Sequence, residues 1–197
     1  KLNATDLDIG ISCEIPVSIL EEGSITIPAK RFSDIVRELP FGDVAIHVKK
    51  NNQIDIEGER CRFKLSGLPK DEFPKFPEFK DTEVIQIEQG VLKQMLRLVS
   101  FAVSHEESRY VLNGILLEIS ENNIRAVATD GRRLAKIDKK LTKSTKKDIN
   151  IIIPIKAIQE INRNLKENGL VSFVMGANQA LFDVDGVLIA KRIIEGE

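Results

Sequence analysis

The sequence predicts an α+β protein: antiparallel sheets carrying helices on one face, in a unit that occurs twice. Three observations predict it. One stretch of the chain matches a later stretch at a constant offset. Short period-two strands are joined by tight turns. Three longer stretches place apolar residues at helical spacing, and two of them open on a proline.

The repeat organises the rest. Thr26–Leu39 lines up with Ile152–Leu165 at an offset of 126, with identities at Ile27/Ile153, Pro28/Pro154, Lys30/Lys156, Ile35/Ile161, Arg37/Arg163 and Leu39/Leu165. Unrelated stretches of that length would share roughly one residue. The same offset aligns Val48/Val174, Asn52/Asn178 and Gln53/Gln179, and Ala4-Thr5-Asp6 matches Ala128-Thr129-Asp130 at an offset of 124. The repeating unit is about 125 residues, an ordinary domain size. The second copy runs from about Glu83 to Glu197. The first starts at the point equivalent to Arg125 and lacks a counterpart of Glu83–Ile124. With Lys1 rather than Met at its start, the sequence is expected to be a piece of a longer protein.

Taken in order, strands are expected at Val44–Val48, Gln53–Glu57 and Arg62–Ser66, with Lys50-Asn51-Asn52 as a turn. Leu68–Phe79 holds three of the seven prolines and reads as an extended linker whose phenylalanines pack on a domain. The second copy is expected to have strands at Val84–Ile87, Gly114–Ile119, Ile124–Thr129, Ala135–Ile137, Ile149–Ile153, Leu170–Val174, Ala180–Val184 and Val187–Arg192. Glu121-Asn122-Asn123 and Asp185-Gly186 are its hairpin turns. Gln89–Ser104 carries Leu92, Met95, Leu96, Val99 and Ala102 on one helical face. Pro28 and Pro154 each sit in the first turn of a helix, where a missing N–H leaves no bond unmade. Those helices bury stripes of Phe32, Ile35, Val36 and Leu39, and of Ile158, Ile161 and Leu165.

Composition bounds the function. Hydrophobic residues are 42% and charged residues 30%, the profile of a folded protein rather than a disordered or fibrous one. No apolar run approaches the roughly 20 residues of a membrane span. Two cysteines and two histidines are too few for a zinc site or a disulfide framework, so no metal or cofactor and a reducing cytoplasmic setting are expected. The net charge of −1 argues against a wholly basic nucleic-acid binder, although basic residues gathered on one face remain compatible with one.

Opposite the apolar stripes the helices repeat a basic pattern. Lys30 and Arg37 are seven residues apart, two turns along one face, as are Lys156 and Arg163. Lys93 and Arg97 stand at i, i+4, continuing to Ser100 and Ser104. Scattered Lys and Arg of this kind suit phosphates without reading sequence. A solvated helix face is the plainer reading of any one pair.

Tyr110–Ile119, followed by Arg125-Ala126-Val127-Ala128-Thr129-Asp130-Gly131-Arg132-Arg133-Leu134-Ala135, resembles the second domain of the bacterial DNA sliding clamps, the beta subunits of DNA polymerase III. Thr5-Asp6-Leu7-Asp8, Ile27-Pro28-Ala29-Lys30 and Phe63-Lys64-Leu65-Ser66, followed by Phe73-Pro74, resemble the later part of the first domain. The resemblance implies tandem DNA-clamp domains, helices lining a hole and sheets outside. Residues 1–80 would be the C-terminal part of domain 1 with its linker, and residues 81–197 domain 2, with domain 3 absent. The family's full-length ring is a homodimer that encircles duplex DNA and tethers the replicative polymerase, without catalysis. The fragment itself is expected to be a monomer.

By this resemblance Lys30, Arg31, Arg37, Lys93, Arg97, Arg109, Tyr110, Lys156 and Arg163 face DNA. Leu112, Thr129, Gly131, Arg132, Arg133 and Leu134 form the domain-2 half of a pocket for short peptides of polymerase subunits, the clamp loader and repair proteins. Arg132 stands where the family often has His, and Val111 where it often has an aromatic or polar residue. Glu106 adds an acid to the same loop. Two other readings stay open: a structural repeat protein without nucleic acid, and a hydrolase built on His105 and Asp130.

Overall fold

Alternating apolar residues and paired turn residues dictate a chain with more strand than helix. The computed structural model describes residues 1–77, 79, 83–145, 148–176 and 178–194, and the expected boundary between residues 80 and 81 lies outside them. The strands are β1 (Leu2–Thr5), β2 (Ile9–Cys13), β3 (Ala45–Val48), β4 (Gln53–Gly58), β5 (Cys61–Ser66), β6 (Val84–Glu88), β7 (Gly114–Ser120), β8 (Asn123–Thr129), β9 (Leu134–Lys140), β10 (Ile149–Pro154), β11 (Leu170–Met175), β12 (Gln179–Val184) and β13 (Val187–Arg192). The helices are α1 (Ala29–Glu38), α2 (Gln89–Val99) and α3 (Ile155–Asn164), with 3-10 turns at Lys70–Glu72, Ser100–Ala102 and Glu107–Leu112.

All strand pairs are antiparallel. They form sheets ordered β1-β2-β13-β12-β11-β6, β10-β7-β8-β9 and β3-β4-β5. Two compact units result, Lys1–Ile15 with Phe76–Glu197, and Pro16–Lys75. The sequence repeats and the spatial units therefore do not coincide. The first fifteen residues, for which the sequence predicts no strand, make β1 and β2. β2 pairs with β13, from Ser12 opposite Leu188 to Ile9 opposite Lys191. Hydrogen bonding to a strand about 180 residues away carries this hairpin into the sheet of the second repeat.

In the larger unit α2 and α3 pack on each other and over the sheets. Leu92, Met95, Leu96 and Val99 of α2 and Ile158 and Ile161 of α3 join Ile115, Leu117, Ile119, Ile124, Phe173 and Phe182 in one core. The Phe173 and Phe182 rings stand 4.9 Å apart in a tilted contact. Gln89 opens α2 fully buried: its amide donates to the Leu170 carbonyl and to Asp185, and its carbonyl accepts the Lys166 N–H. A buried amide of this kind is tolerated because its bonding capacity is used. α2 ends at Val99 rather than Ser104. Ser100 turns its hydroxyl onto the Leu96 carbonyl and Ser104 is buried, so the expected polar face stops at Arg97.

Two of the linker's three phenylalanines, Phe76 and Phe79, pack as expected. A Cβ on Gly10 would meet the Phe76 ring at 3.1 Å, and one on Gly176 would meet the Phe79 ring at the same distance. In the smaller unit Ile54, Ile56 and Leu65 form a core of their own, with Phe32, Ile35 and Leu39 half-buried against it. α1 buries no residue fully, whereas α3, its counterpart, buries Ala157, Ile158 and Ile161. The first repeat holds no equivalent of β6, α2 and β7 among the described residues to cover that helix.

Three-dimensional detail reproduces the repeat. The isolated bridges Thr26–Leu68 and Ile152–Ile194 are equivalent at the offset of 126. β4–β5 and β12–β13 share one register, Gln53 opposite Ser66 and Gln179 opposite Arg192. The hairpin before them does not. Val48 opposes Ile54, but Val174 opposes Leu181 and Met175 opposes Ala180. Val48 therefore corresponds in space to Met175, because the turn of the second copy is one residue shorter, and the gapless alignment of Val48 with Val174 fails.

The Thr-Asp turns are the closest match. Asp6 accepts the N–H groups of Asp8 and Ile9, and Asp130 those of Arg132 and Arg133. Thr5 donates to the Ile9 carbonyl and accepts the Leu7 N–H, while Thr129 does the same with Arg133 and Gly131. The central residue has a left-handed φ in both, +73° at Leu7 and +84° at Gly131. Only glycine adopts that region without strain.

Leu7 is 84% exposed, so removing its side chain forfeits little packing. Leu7→Gly is expected to stabilise the larger unit by about 0.5–1 kcal/mol, read from the urea midpoint. Unequal burial of the paired helices gives a second expectation. Ile161→Ala should cost about 2–5 kcal/mol in the β7 amide exchange. Its repeat equivalent Ile35→Ala should cost about 1 kcal/mol in β4.

Candidate nucleic-acid and peptide interface

The helices set out the basic residues. On α2, Lys93 and Arg97 lie opposite the buried stripe, as do Lys156 and Arg163 on α3. Three of the four are held by carboxylates. Lys93 bonds Glu167 at 2.9 Å, and Arg163 bonds both oxygens of Glu160 at 2.9 Å. Lys156 bonds Asp6 at 2.5 Å and lies 4.0 Å from Asp8. The Lys156 hydrogen bond is the largest influence holding the Asp6 carboxyl well below the usual carboxylate range, with the Ile9 N–H next, and Asp6 in turn raises the ammonium of Lys156. The Lys93 hydrogen bond lowers Glu167, helped by the field of Arg97. Arg97 has no ion pair among the described residues.

In the smaller unit Lys30, Arg31 and Arg37 lie exposed on α1, again without ion pairs among the described residues. Arg31 is the informative one, because its α3 counterpart, Ala157, is fully buried. A guanidinium has replaced a core methyl on the helix that buries nothing.

The second group of residues gathers at the β8–β9 turn. Thr129, Gly131, Arg132, Arg133 and Leu134 lie there within one six-residue stretch, and Leu134 is 64% exposed at the start of an edge strand, so it is not a core residue. Asp130 holds the turn through its bonds to the Arg132 and Arg133 N–H groups, which keep its carboxyl below the usual range; its other oxygen takes the Arg133 guanidinium at 2.9 Å. A Cβ on Gly131 would lie 3.1 Å from the Arg109 guanidinium, so the absence of a side chain lets Arg109 lie over the turn. Arg109 also approaches Glu106 at 3.6 Å. Tyr110 beside it is 61% exposed.

Arg133 further stacks over the Phe101 ring, 5.4 Å from guanidinium carbon to centroid. Phe101 is 60% exposed and did not enter the sequence reading. Its signal was available: a large aromatic residue standing off the apolar stripe of α2. Leu112 is half-buried, its carbonyl accepting the Ser104 N–H, and no hydrogen bond among the described residues ties it to the turn. A cavity of about 520 Å³ lies elsewhere, lined by Glu118, Arg125, Asp138 and Asn150 among others, and touches none of these residues.

The hydrolase reading gains no geometry. His105 is exposed, and the Asp130 carboxylate is committed to its own turn. Among the described residues no three His, Cys, Asp or Glu side chains are grouped to hold a metal ion, and no helix is long and apolar enough to cross a membrane.

Comparison with known proteins gives this arrangement its context. Residues 1–77 match the family profile described as the N-terminal domain of the DNA polymerase III beta subunit, and residues 86–197 match that of its central domain. The beta sliding clamp of Chlamydia muridarum is 34% identical over 194 residues, covering 98% of this chain and 53% of that protein. The clamp of Bacillus subtilis is 34% identical over 205 residues, covering 100% of this chain and 54% of that one. In structure, a putative DNA polymerase III beta subunit from Eubacterium rectale superposes with a TM-score of 0.94 at 30% identity, over 99% of this chain and 54% of that one. The sliding clamp of Bacillus subtilis gives 0.91 at 33%, with the same coverage. The chain spans about half the length of these relatives, and two profiles of a single family lie along it in order: it belongs to the DNA polymerase III beta subunits, the bacterial sliding clamps.

Proposed function

We propose that this chain is part of a cytoplasmic, non-catalytic processivity clamp, holding the later part of a first clamp domain and nearly all of a second. In the full-length protein two copies close a ring around duplex DNA and tether the replicative polymerase, with no cofactor. The observation that carries this reading, given the family, is the pair of packed helices α2 and α3, each with two basic residues opposite its buried stripe. Lys93, Arg97, Lys156 and Arg163 with Lys30, Arg31 and Arg37 contact phosphates, and Arg109 and Tyr110 approach the duplex. Contacts of this kind are electrostatic and independent of sequence.

The β8–β9 turn serves the second role. Gly131 admits a peptide backbone, Leu134 and Leu112 offer apolar contact, and Arg132 and Arg133 take carbonyl or carboxylate groups of peptides from polymerase subunits, the clamp loader and repair proteins. Phe101 belongs with them, because Arg133 lies over its ring. This chain alone is a monomer with half of that pocket.

Fluorescence anisotropy of the chain on a random duplex should show affinity falling steeply with salt. Replacing Lys93 and Arg97 together by Gln should reduce the slope of log K against log salt by about 1.8, the loss of two phosphate contacts. An unchanged slope removes both residues from the interface. The turn has its own test. Since the Asp130 carboxyl is lowered by the N–H groups it accepts, its contribution is complete above about pH 4 and lost as pH falls below that. Exchange of the Arg132 and Arg133 amides, corrected for intrinsic rate, should accelerate across that range and become independent of pH in Asp130→Asn.

A further inference from the structure

The seam between β2 and β13 ends in charges. Lys156, at the start of α3, bonds Asp6 and lies 4.0 Å from Asp8. Lys191, on β13 itself, bonds Asp8 and is 8% exposed. A lysine so far removed from water needs its carboxylate, since losing the partner would leave a buried charge uncompensated. Backbone pairing along the seam carries no such demand, for one antiparallel edge accepts another whatever its side chains. In a chain built of repeats, each with a hairpin like β1–β2 and a strand like β13, side chains must decide which joins which.

The second hairpin supplies the comparison. Its turn repeats the first bond for bond, with Asp130 in the place of Asp6, but Arg132 stands where the first has Asp8. Arg132 is exposed and has no ion pair among the described residues, and β9 is the last strand of its sheet. A β13-like strand with a lysine at the place of Lys191 would set two cations together there. We propose that the charge at Asp8 and Arg132 is the selectivity key of these joints. Asp8 admits a strand with a lysine at the place of Lys191. Arg132 makes the open edge of β9 a docking site for the corresponding strand of a further unit of the same kind, one that carries a carboxylate at that place. The partner of β9 rests on the clamp reading, whereas the key at the β2–β13 seam stands without it.

Hydrogen exchange in the whole chain reads the first joint. Asp8→Arg and Lys191→Glu should each accelerate the β2 amides at least tenfold relative to those of β7 and β8, and the double reversal should return within threefold of the native rate. Single variants within twofold, or a double variant as fast as the singles combined, would overturn the key. Should a reversal release the β7 and β8 amides as well, the milder Asp8→Asn should still accelerate β2 about threefold, and no acceleration counts against the proposal. A synthetic peptide of residues 186–194, native or with Lys191→Glu, probes β9. The glutamate peptide should bind the native chain at least fivefold tighter than the lysine peptide, and the order should invert in Arg132→Asp. Equal binding, or none by either, overturns the assignment at β9. Since the seam result involves neither DNA nor a third unit, it separates failure of the key from failure of the clamp reading.

Discussion

The pairing of β2 with β13 is the constraint on which the larger unit depends. Without it β13 would be an open edge, and Ile9, which is 5% exposed in the main core, would have no place there. The pairing also positions Gly10 under the Phe76 ring, which ties the end of the linker to the same sheet. The Thr5–Ile9 turn follows from it as well. Held at the end of the seam, Asp6 and Asp8 face Lys156 and Lys191 across about 150 and 180 residues of sequence. A local Asx turn, stable for its own reasons, thereby becomes the point at which one repeat is fastened to the next.

Much of the fold was legible because it is local or periodic. Pro28 and Pro154 mark helix starts that the structure places at Ala29 and Ile155. The Asp185-Gly186 turn sits where a left-handed pair closes a hairpin, both residues having positive φ. What could not be read is what depends on distant partners. β1 and β2 are only four and five residues long, and it is the pairing of β2 with β13 that carries Ile9 into the core. The same cause separates the spatial units from the sequence repeats. The sequence hides the slipped register at β11 because Val48 and Val174 are identical, so a turn one residue shorter leaves the alignment continuous.

At the candidate site residue types were legible and pairings were not. Asp130 serves its own turn, a pairing within three residues. The acids that meet Lys93 and Lys156 come from far along the chain, Glu167 and Asp6, and helical spacing carries no sign of them. Phe101 lies outside the helical stripe that marks α2 in the sequence, and lying outside it is what exposes the ring to Arg133.

Those pairings bear on how a net charge of −1 accords with DNA. The carboxylates do not all lie away from the basic helices. Glu160 and Glu167 stand within α3 and just beyond it, each already bonded to a cation. Exposed pairs of this kind are worth about 0–1 kcal/mol, because water and salt screen them. A phosphate oxygen that displaces Glu167 from Lys93 therefore exchanges one weak partner for another, and the net gain per contact is small. An unpaired basic face would hold a duplex in one place. A face whose cations are already partnered lets each contact form and break at little expense. On the clamp reading that is the useful property, since a ring is kept on DNA by closure and must still move along it. Arg97, without a carboxylate of its own, and Lys30, Arg31 and Arg37, likewise unpaired among the described residues, would then supply most of the attraction, with the paired residues keeping it weak enough for sliding.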